Sequence, residues 1–92
     1  MEDQVTNNKS ANQFQIEVDG SVAFIDYKIE ENRLTLIHTE VPPPLGGKGI
    51  GGRLAKAALD FASEKHLKVV PECAFIATYI DKHPEYRRVL QE

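Results

Sequence analysis

The sequence predicts an α+β domain in which an antiparallel strand meander runs into a β-loop-α-β crossover. Three observations predict it. Three runs with strand periodicity, Phe14–Val18, Val22–Ile29 and Arg33–Val41, are separated by short turn signals. Five glycines between Gly46 and Gly52 then lead into an apolar pattern of helical period. A further strand-like run, Leu67–Glu72, follows that helix directly.

Each element has its own warrant. Residues 1–12 are polar, with almost nothing to bury, and read as a flexible tail; the domain proper is expected over 13–92. Phe14, Ile16 and Val18 alternate with Gln15 and Glu17, so one face of the first strand is apolar. Its polar face suits a solvated edge or pairing across a weak dimer. Asp19-Gly20 is a two-residue hairpin signal. The return strand, Val22–Ile29, is more apolar and therefore more central. Glu30-Glu31-Asn32 makes the next turn, and Arg33–Val41 is rich in β-branched residues. Ile50, Leu54, Ala57, Ala58, Phe61 and Ala62 then share one helical face, which predicts a helix from Gly49 to Lys65. Strand, helix and strand in succession imply a crossover with the fourth strand parallel to the third. Ala74–Asp81 reads as a helix burying Phe75, Ile76, Tyr79 and Ile80, and Pro84 opens a last helical turn to Leu90.

Composition narrows the function. A chain of 92 residues predicts one domain. With 41% hydrophobic and 27% charged residues it has no compositional sign of disorder. A net charge of −3 argues against a protein that mainly grips nucleic acid. The single cysteine, Cys73, excludes an internal disulfide. No apolar run approaches the ~18 residues of a membrane span, and no targeting signal is evident. A soluble, cytoplasmic protein without a membrane partner is expected, and no metal ion.

The chemistry concentrates at Leu45-Gly46-Gly47-Lys48-Gly49-Ile50-Gly51-Gly52-Arg53. Glycine lets a backbone take positive φ and approach a ligand closely. The first N–H groups of the following helix lack internal partners, and its dipole is positive there. A phosphate or diphosphate fits such a place. A P-loop is rejected, because Gly52-Arg53 replaces the Lys-Ser/Thr that supplies the hydroxyl for Mg²⁺. Gly47, Gly49 and Gly52 meet the dinucleotide pattern G-x-G-x-x-G literally, and Glu72 lies about where a ribose-binding acid is wanted. However, antiparallel strands precede the glycines, and too little chain follows Glu72 to complete a doubly wound sheet, so a Rossmann-like module is a minor alternative.

Gly46-Gly47-Lys48-Gly49-Ile50-Gly51 resembles the acyl-CoA loop Q/R-x-x-G-x-G/A of the GCN5-related N-acetyltransferases, with Gly49 and Gly51 in its two glycine places. Gly46 stands where that family usually has glutamine or arginine, so a side-chain contact is missing. His38-Thr39-Glu40-Val41, the loop and Cys73 together resemble a minimal, single-domain branch of the family that carries a cysteine near the acetyl-CoA thioester. The resemblance covers about Phe14 to Val89.

The resemblance implies a minimal acyl-CoA N-acyltransferase fold whose strands before and after the helix splay apart, with acetyl-CoA in the V between them. It implies that backbone groups of Thr39 and Val41 pair with pantetheine and that the amides of Gly46, Gly47, Lys48, Gly49, Ile50, Gly51 and Gly52 hold the diphosphate. Lys48, Arg53 and Lys56 would add charge, although a solvated helix face also accounts for Lys56. Lys82 and His83 would reach the nucleotide end of CoA. The implied activity is transfer of acetyl from acetyl-CoA to an amine acceptor: protein lysine, a polyamine or a small amine. Cys73 faces the thioester in that geometry, as a nucleophile that relays the acetyl group or as a wall residue. For direct transfer, a backbone N–H near Val41 would stabilise the oxyanion, Glu40 is the base nearest in sequence, His38 shares its face, and Tyr79 could protonate the leaving thiolate. Larger family members insert helices where this chain has Asp19-Gly20, so an open, shallow acceptor site is expected. That openness equally suits a CoA-binding module without useful catalysis.

Overall fold

The computed structural model describes residues 4–47 and 49–90. One mixed sheet runs in chain order: β1 (Thr6–Asn8), β2 (Gln13–Val18), β3 (Ser21–Glu30), β4 (Arg33–Glu40) and β5 (Lys68–Pro71). The first four strands pair antiparallel, and β4 pairs with β5 in parallel. This order overturns the Rossmann-like alternative, since a doubly wound fold needs several parallel pairs. Helix α1 (Ile50–Glu64) makes the crossover, and α2 (Ala74–Lys82) follows β5. A 3-10 turn over Pro84–Val89 brings Leu90 back to bridge Val69 of β5.

The hairpin between β2 and β3 is as tight as Asp19-Gly20 predicts. Val18 pairs with Ser21, and the two loop residues both take positive φ, 52° and 82°. That is the turn whose twist matches its flanking strands.

The pairing of β3 with β4 contains a bulge. Tyr27 faces Leu36 and Asp26 faces His38, so Ile37 has no partner of its own. One extra residue reverses the alternation of side chains. Leu34 and Leu36 point into the core before it. Thr39, opposite buried Ile25, points the same way after it. His38 and Glu40 therefore lie on the other face. That face also carries Gln13, Gln15, Phe24, Asp26 and Lys28, all exposed or half-buried.

The core forms a single cluster on the α1 side of the sheet, built from Phe14, Ile16, Ile25, Leu36, Leu54 and Val69 among others. The expected inward face of α1 is too narrow. Ala55 and Leu59 are fully buried as well, because α1 packs on the sheet with one side and on α2 and the last turn with another. Asp60 pins that second contact: Tyr86 Oη and Lys56 Nζ each donate to its carboxylate at 2.8 Å. In α2, Ile76 and Ile80 are buried as expected, Tyr79 is half-buried, and Phe75 is exposed.

The stretch read as a tail differs most from expectation. Thr6–Asn8 is an edge strand paired with β2, so β2 is not the edge of the sheet. Thr-Asn-Asn carries no apolar alternation, which is why the sequence hides it. What docks it is polar: the hydroxyl of buried Tyr27 donates to Asn7 Oδ1 at 2.6 Å. Asn7→Ala removes that acceptor and is expected to lower stability by about 1 kcal/mol. Urea denaturation with an unchanged m-value reads this directly, and no change would mean that β1 holds nothing in place.

Candidate functional site

The strands β4 and β5 part company. Their pairing ends at Leu36 with Pro71, but β4 continues to Glu40. Beyond the fork, β4 has no neighbour in the sheet on that side among the described residues. The Leu36 carbonyl accepts the Cys73 N–H at 3.1 Å, which marks the fork's inner end. At the outer end lies a cleft of about 300 Å³, lined by Val41, Leu45, Ile50, Phe75 and the glycines 46, 47, 49, 51 and 52.

The loop is built in two parts. Pro43–Leu45 forms a 3-10 turn anchored by fully buried Leu45. In it the Gly46 N–H donates to the Pro43 carbonyl at 3.0 Å. The Gly46 amide, expected to face a ligand, is engaged by this turn. Gly47 and Gly49 then take φ of 78° and 74°. A Cβ at either would project into open space, so backbone conformation and not crowding requires glycine there. Gly49 caps α1 without a side-chain hydrogen bond, and the first turn of α1 carries no acidic residue. The Arg53 N–H donates to the Gly49 carbonyl at 3.1 Å. The N–H groups of Ile50, Gly51 and Gly52 thus begin a helix with no side-chain cap. Such a terminus fits an anion. Lys48, expected to add charge here, lies outside the described residues.

Gly51 is glycine for another reason. A Cβ there would sit 2.7 Å from Phe75 Cζ, so the ring lies directly over the bare helix backbone. Phe75 is 41% exposed and faces the cleft, not the core. Sequence reasoning missed it, because its spacing with Ile76 and Tyr79 matches a buried face. The usable signal was a run of small residues on the neighbouring helix, Gly51-Gly52, which leaves room for a large one.

Cys73 caps α2 and is half-buried. Its thiol donates to Thr39 Oγ1 at 3.2 Å, across the fork. Burial pushes the thiol pKa up. The Thr39 hydroxyl and the amides of Ile76, Phe75 and Thr39, all of which favour the thiolate, pull it further down, and the net shift is downward. The bulge at Ile37 is what brings Thr39 to Cys73.

Glu40 lies elsewhere. His38 Nε2 and Glu40 Oε1 are 3.0 Å apart on the exposed sheet face, beside the Phe24 ring (6.3 Å from the imidazole). Val41 is half-buried and lines the cleft. Lys82 and His83 close the far end of α2; His83 stacks on Tyr79 at 4.1 Å and bonds the Tyr79 carbonyl through Nδ1 at 2.9 Å. Tyr79 in turn lies against Gly52. Burial raises the Tyr79 pKa, and Lys56 is paired with Asp60. Among the described residues no group of three or more His, Cys, Asp or Glu converges as a metal site, and no helix is long and apolar enough to cross a membrane.

Fold and cleft together define a small α+β domain with a forked sheet and a glycine-lined cleft at the mouth of the fork. The chain belongs to the GCN5-related N-acetyltransferase family, whose family model matches residues 13–89. Protein NATD1 of Gallus gallus is 36% identical over 85 residues, covering 88% of this chain and 76% of that protein. Its namesake in Homo sapiens is 36% identical over 84 residues, 87% and 74% of the two chains. The solution structure of a GCN5-like protein from Staphylococcus aureus superposes with a TM-score of 0.75 at 31% identity, covering 96% of this chain and 87% of that one.

The thiol's environment is directly testable. The rate of Cys73 alkylation by iodoacetamide should rise with pH through a midpoint below that of a cysteine in the unfolded chain. Thr39→Val removes the largest of the thiolate-favouring contacts and should move the midpoint upward. A midpoint that stays put would show that the hydroxyl does not act on the sulfur.

Proposed function

We propose that the chain is a small N-acetyltransferase that takes acetyl-CoA as the donor and an amine as the acceptor. The observation that carries this reading is the open side of β4 beyond Leu36, which runs from Cys73 to the glycine cleft. A slender ligand with a diphosphate at one end and a reactive thioester at the other matches that path. Because the bulge at Ile37 resets the alternation, Thr39 and Val41 would turn their backbone groups to the same open side as Leu36 and pair with the pantetheine arm. The amides of Gly47, Gly49, Ile50, Gly51 and Gly52 would hold the diphosphate, with Lys48 adding charge. Lys82 and His83, at the far end of α2, would meet the nucleotide.

The acceptor would arrive on the opposite face. Phe24, Asp26, His38 and Glu40 cluster there, an aromatic ring among carboxylates, and such surroundings suit a protonated amine. The tight Asp19-Gly20 hairpin leaves this face uncovered, which favours a large or loosely selected acceptor such as a protein lysine or a polyamine. Glu40, steadied by His38, would take the proton as the amine attacks. Cys73, on the inner face, either attacks the thioester carbon, its sulfur taking the acetyl group as the bond to the CoA sulfur breaks and CoA leaves with the thiol proton, or forms the wall beside the thioester.

Labelled acetyl-CoA, incubated with a panel of peptides, polyamines and small amines, tests the reading. Glu40→Gln should lower turnover by on the order of a hundredfold, with CoA binding retained. Cys73→Ala should abolish turnover on the covalent route and leave it unchanged on the direct one. CoA binding without transfer to any amine would favour a binding module.

A further inference from the structure

We infer that Phe75 is the residue that selects an arm-bearing ligand over a plain nucleoside diphosphate. The inference rests on the proposed acetyl-CoA site and names a contact within it. Two facts place the ring on the ligand's path. It lies over Gly51 in the first turn of α1, where a Cβ would come within 2.7 Å of Cζ. Its backbone stands two residues after Cys73, in the first turn of α2. A ligand that reaches from the loop amides to the thiol has to pass this ring.

The cleft has two chemical halves. Gly47 and Gly49 are exposed glycines at positive φ, with nothing within 4 Å of the space a Cβ would fill. Val41, Leu45, Ile50 and Phe75 make the other half apolar. Of these four, Phe75 alone is both large and exposed, at 41%. An aromatic side chain left half in water beside an anion-type cleft is surface ready to be covered. In CoA a carbon bearing two methyls follows the diphosphate after a single methylene, and it would meet the ring at this point. Gly51 is then a seat for the ring as much as a point of backbone approach. A side chain at position 51 would tilt the ring into the arm's path.

The test compares CoA with 3′-phosphoadenosine 5′-diphosphate, which is CoA without the arm, and with ADP, which lacks the 3′-phosphate as well, on the full chain. Binding is followed by calorimetry and by NMR shifts of the Gly47 and Gly49 amides. Phe75→Ala should weaken CoA on the order of tenfold and leave both armless diphosphates within about twofold. Phe75→Leu, which keeps an apolar body, should recover most of the loss. Thermal unfolding of each ligand-free variant shows that it is folded at the temperature of the binding measurement, and the ADP arm of the comparison reports any general loss of the cleft. Gly51→Ala keeps the amide and should weaken CoA in the wild type but add nothing in the Phe75→Ala background, since there is no ring left to displace. Equal loss of all three ligands, or undiminished CoA binding by Phe75→Ala, would overturn the inference while leaving the acetyl-CoA site standing. A wild-type chain that binds no CoA at all would instead remove the site itself.

Discussion

A strand that outruns its neighbour governs this structure. β4 pairs with β5 over four residues and then runs on to Glu40 with β3 still on one side, so that among the described residues no strand covers its other side. An open strand side of this kind readily takes another extended chain. Pro71 ends β5 at that point, and the Cys73 amide turns to the Leu36 carbonyl, closing the inner end of the fork. Everything placed around the fork follows from this geometry: the glycine loop at its mouth, the thiol at its throat and α2 along its side.

The bulge at Ile37 makes the fork two-sided. Without the extra residue, strict alternation would put His38 and Glu40 in the core with Leu34 and Leu36, and would send Thr39 to solvent. With it, Thr39 meets Cys73 on the inner face, and an imidazole–carboxylate pair stands on the outer face. Only one strand's thickness separates the two sets. A small domain can thus set two kinds of polar chemistry on either side of a single slot, with no helix inserted to build a second wall.

Much of the fold was legible because it depends on period and turn chemistry. Asp19-Gly20 specified its own hairpin, and the change from period two to 3.6 at Ile50 marked the crossover. The glycine cluster was legible as a loop before a helix, yet its members differ in a way that no pattern shows. Gly46 gives its amide to a 3-10 turn, Gly47 and Gly49 are needed for positive φ, and Gly51 makes room for a ring. Such distinctions arise from contacts between residues distant in sequence. The same holds for Phe75, whose helical spacing with Ile76 matched a core face until a bare patch on α1 drew it to the cleft. It holds too for Thr6–Asn8, a strand fixed by a tyrosine hydroxyl and without any apolar signal of its own.

Size sets how a domain of this kind would work. Enzymes that enclose their substrates gain from excluding water, but the sheet face bearing His38 and Glu40 is open, and the two-residue hairpin beside it supplies no cover. On the proposed reading, rate must come from holding donor and acceptor in line, which alone can lower a barrier by several kcal/mol. Rigidity near the slot then matters more than enclosure. The parts bordering it are stiff for identifiable reasons: a proline-rich 3-10 turn pinned by buried Leu45, an aromatic ring seated on Gly51, and a threonine locked to a thiol. The face proposed for the acceptor is exposed, its His38–Glu40 pair standing in solvent. On that reading a fixed donor site beside an open acceptor site would give narrow choice of the acyl carrier and broad choice of the amine, because discrimination needs contacts that a wrong partner fails to make.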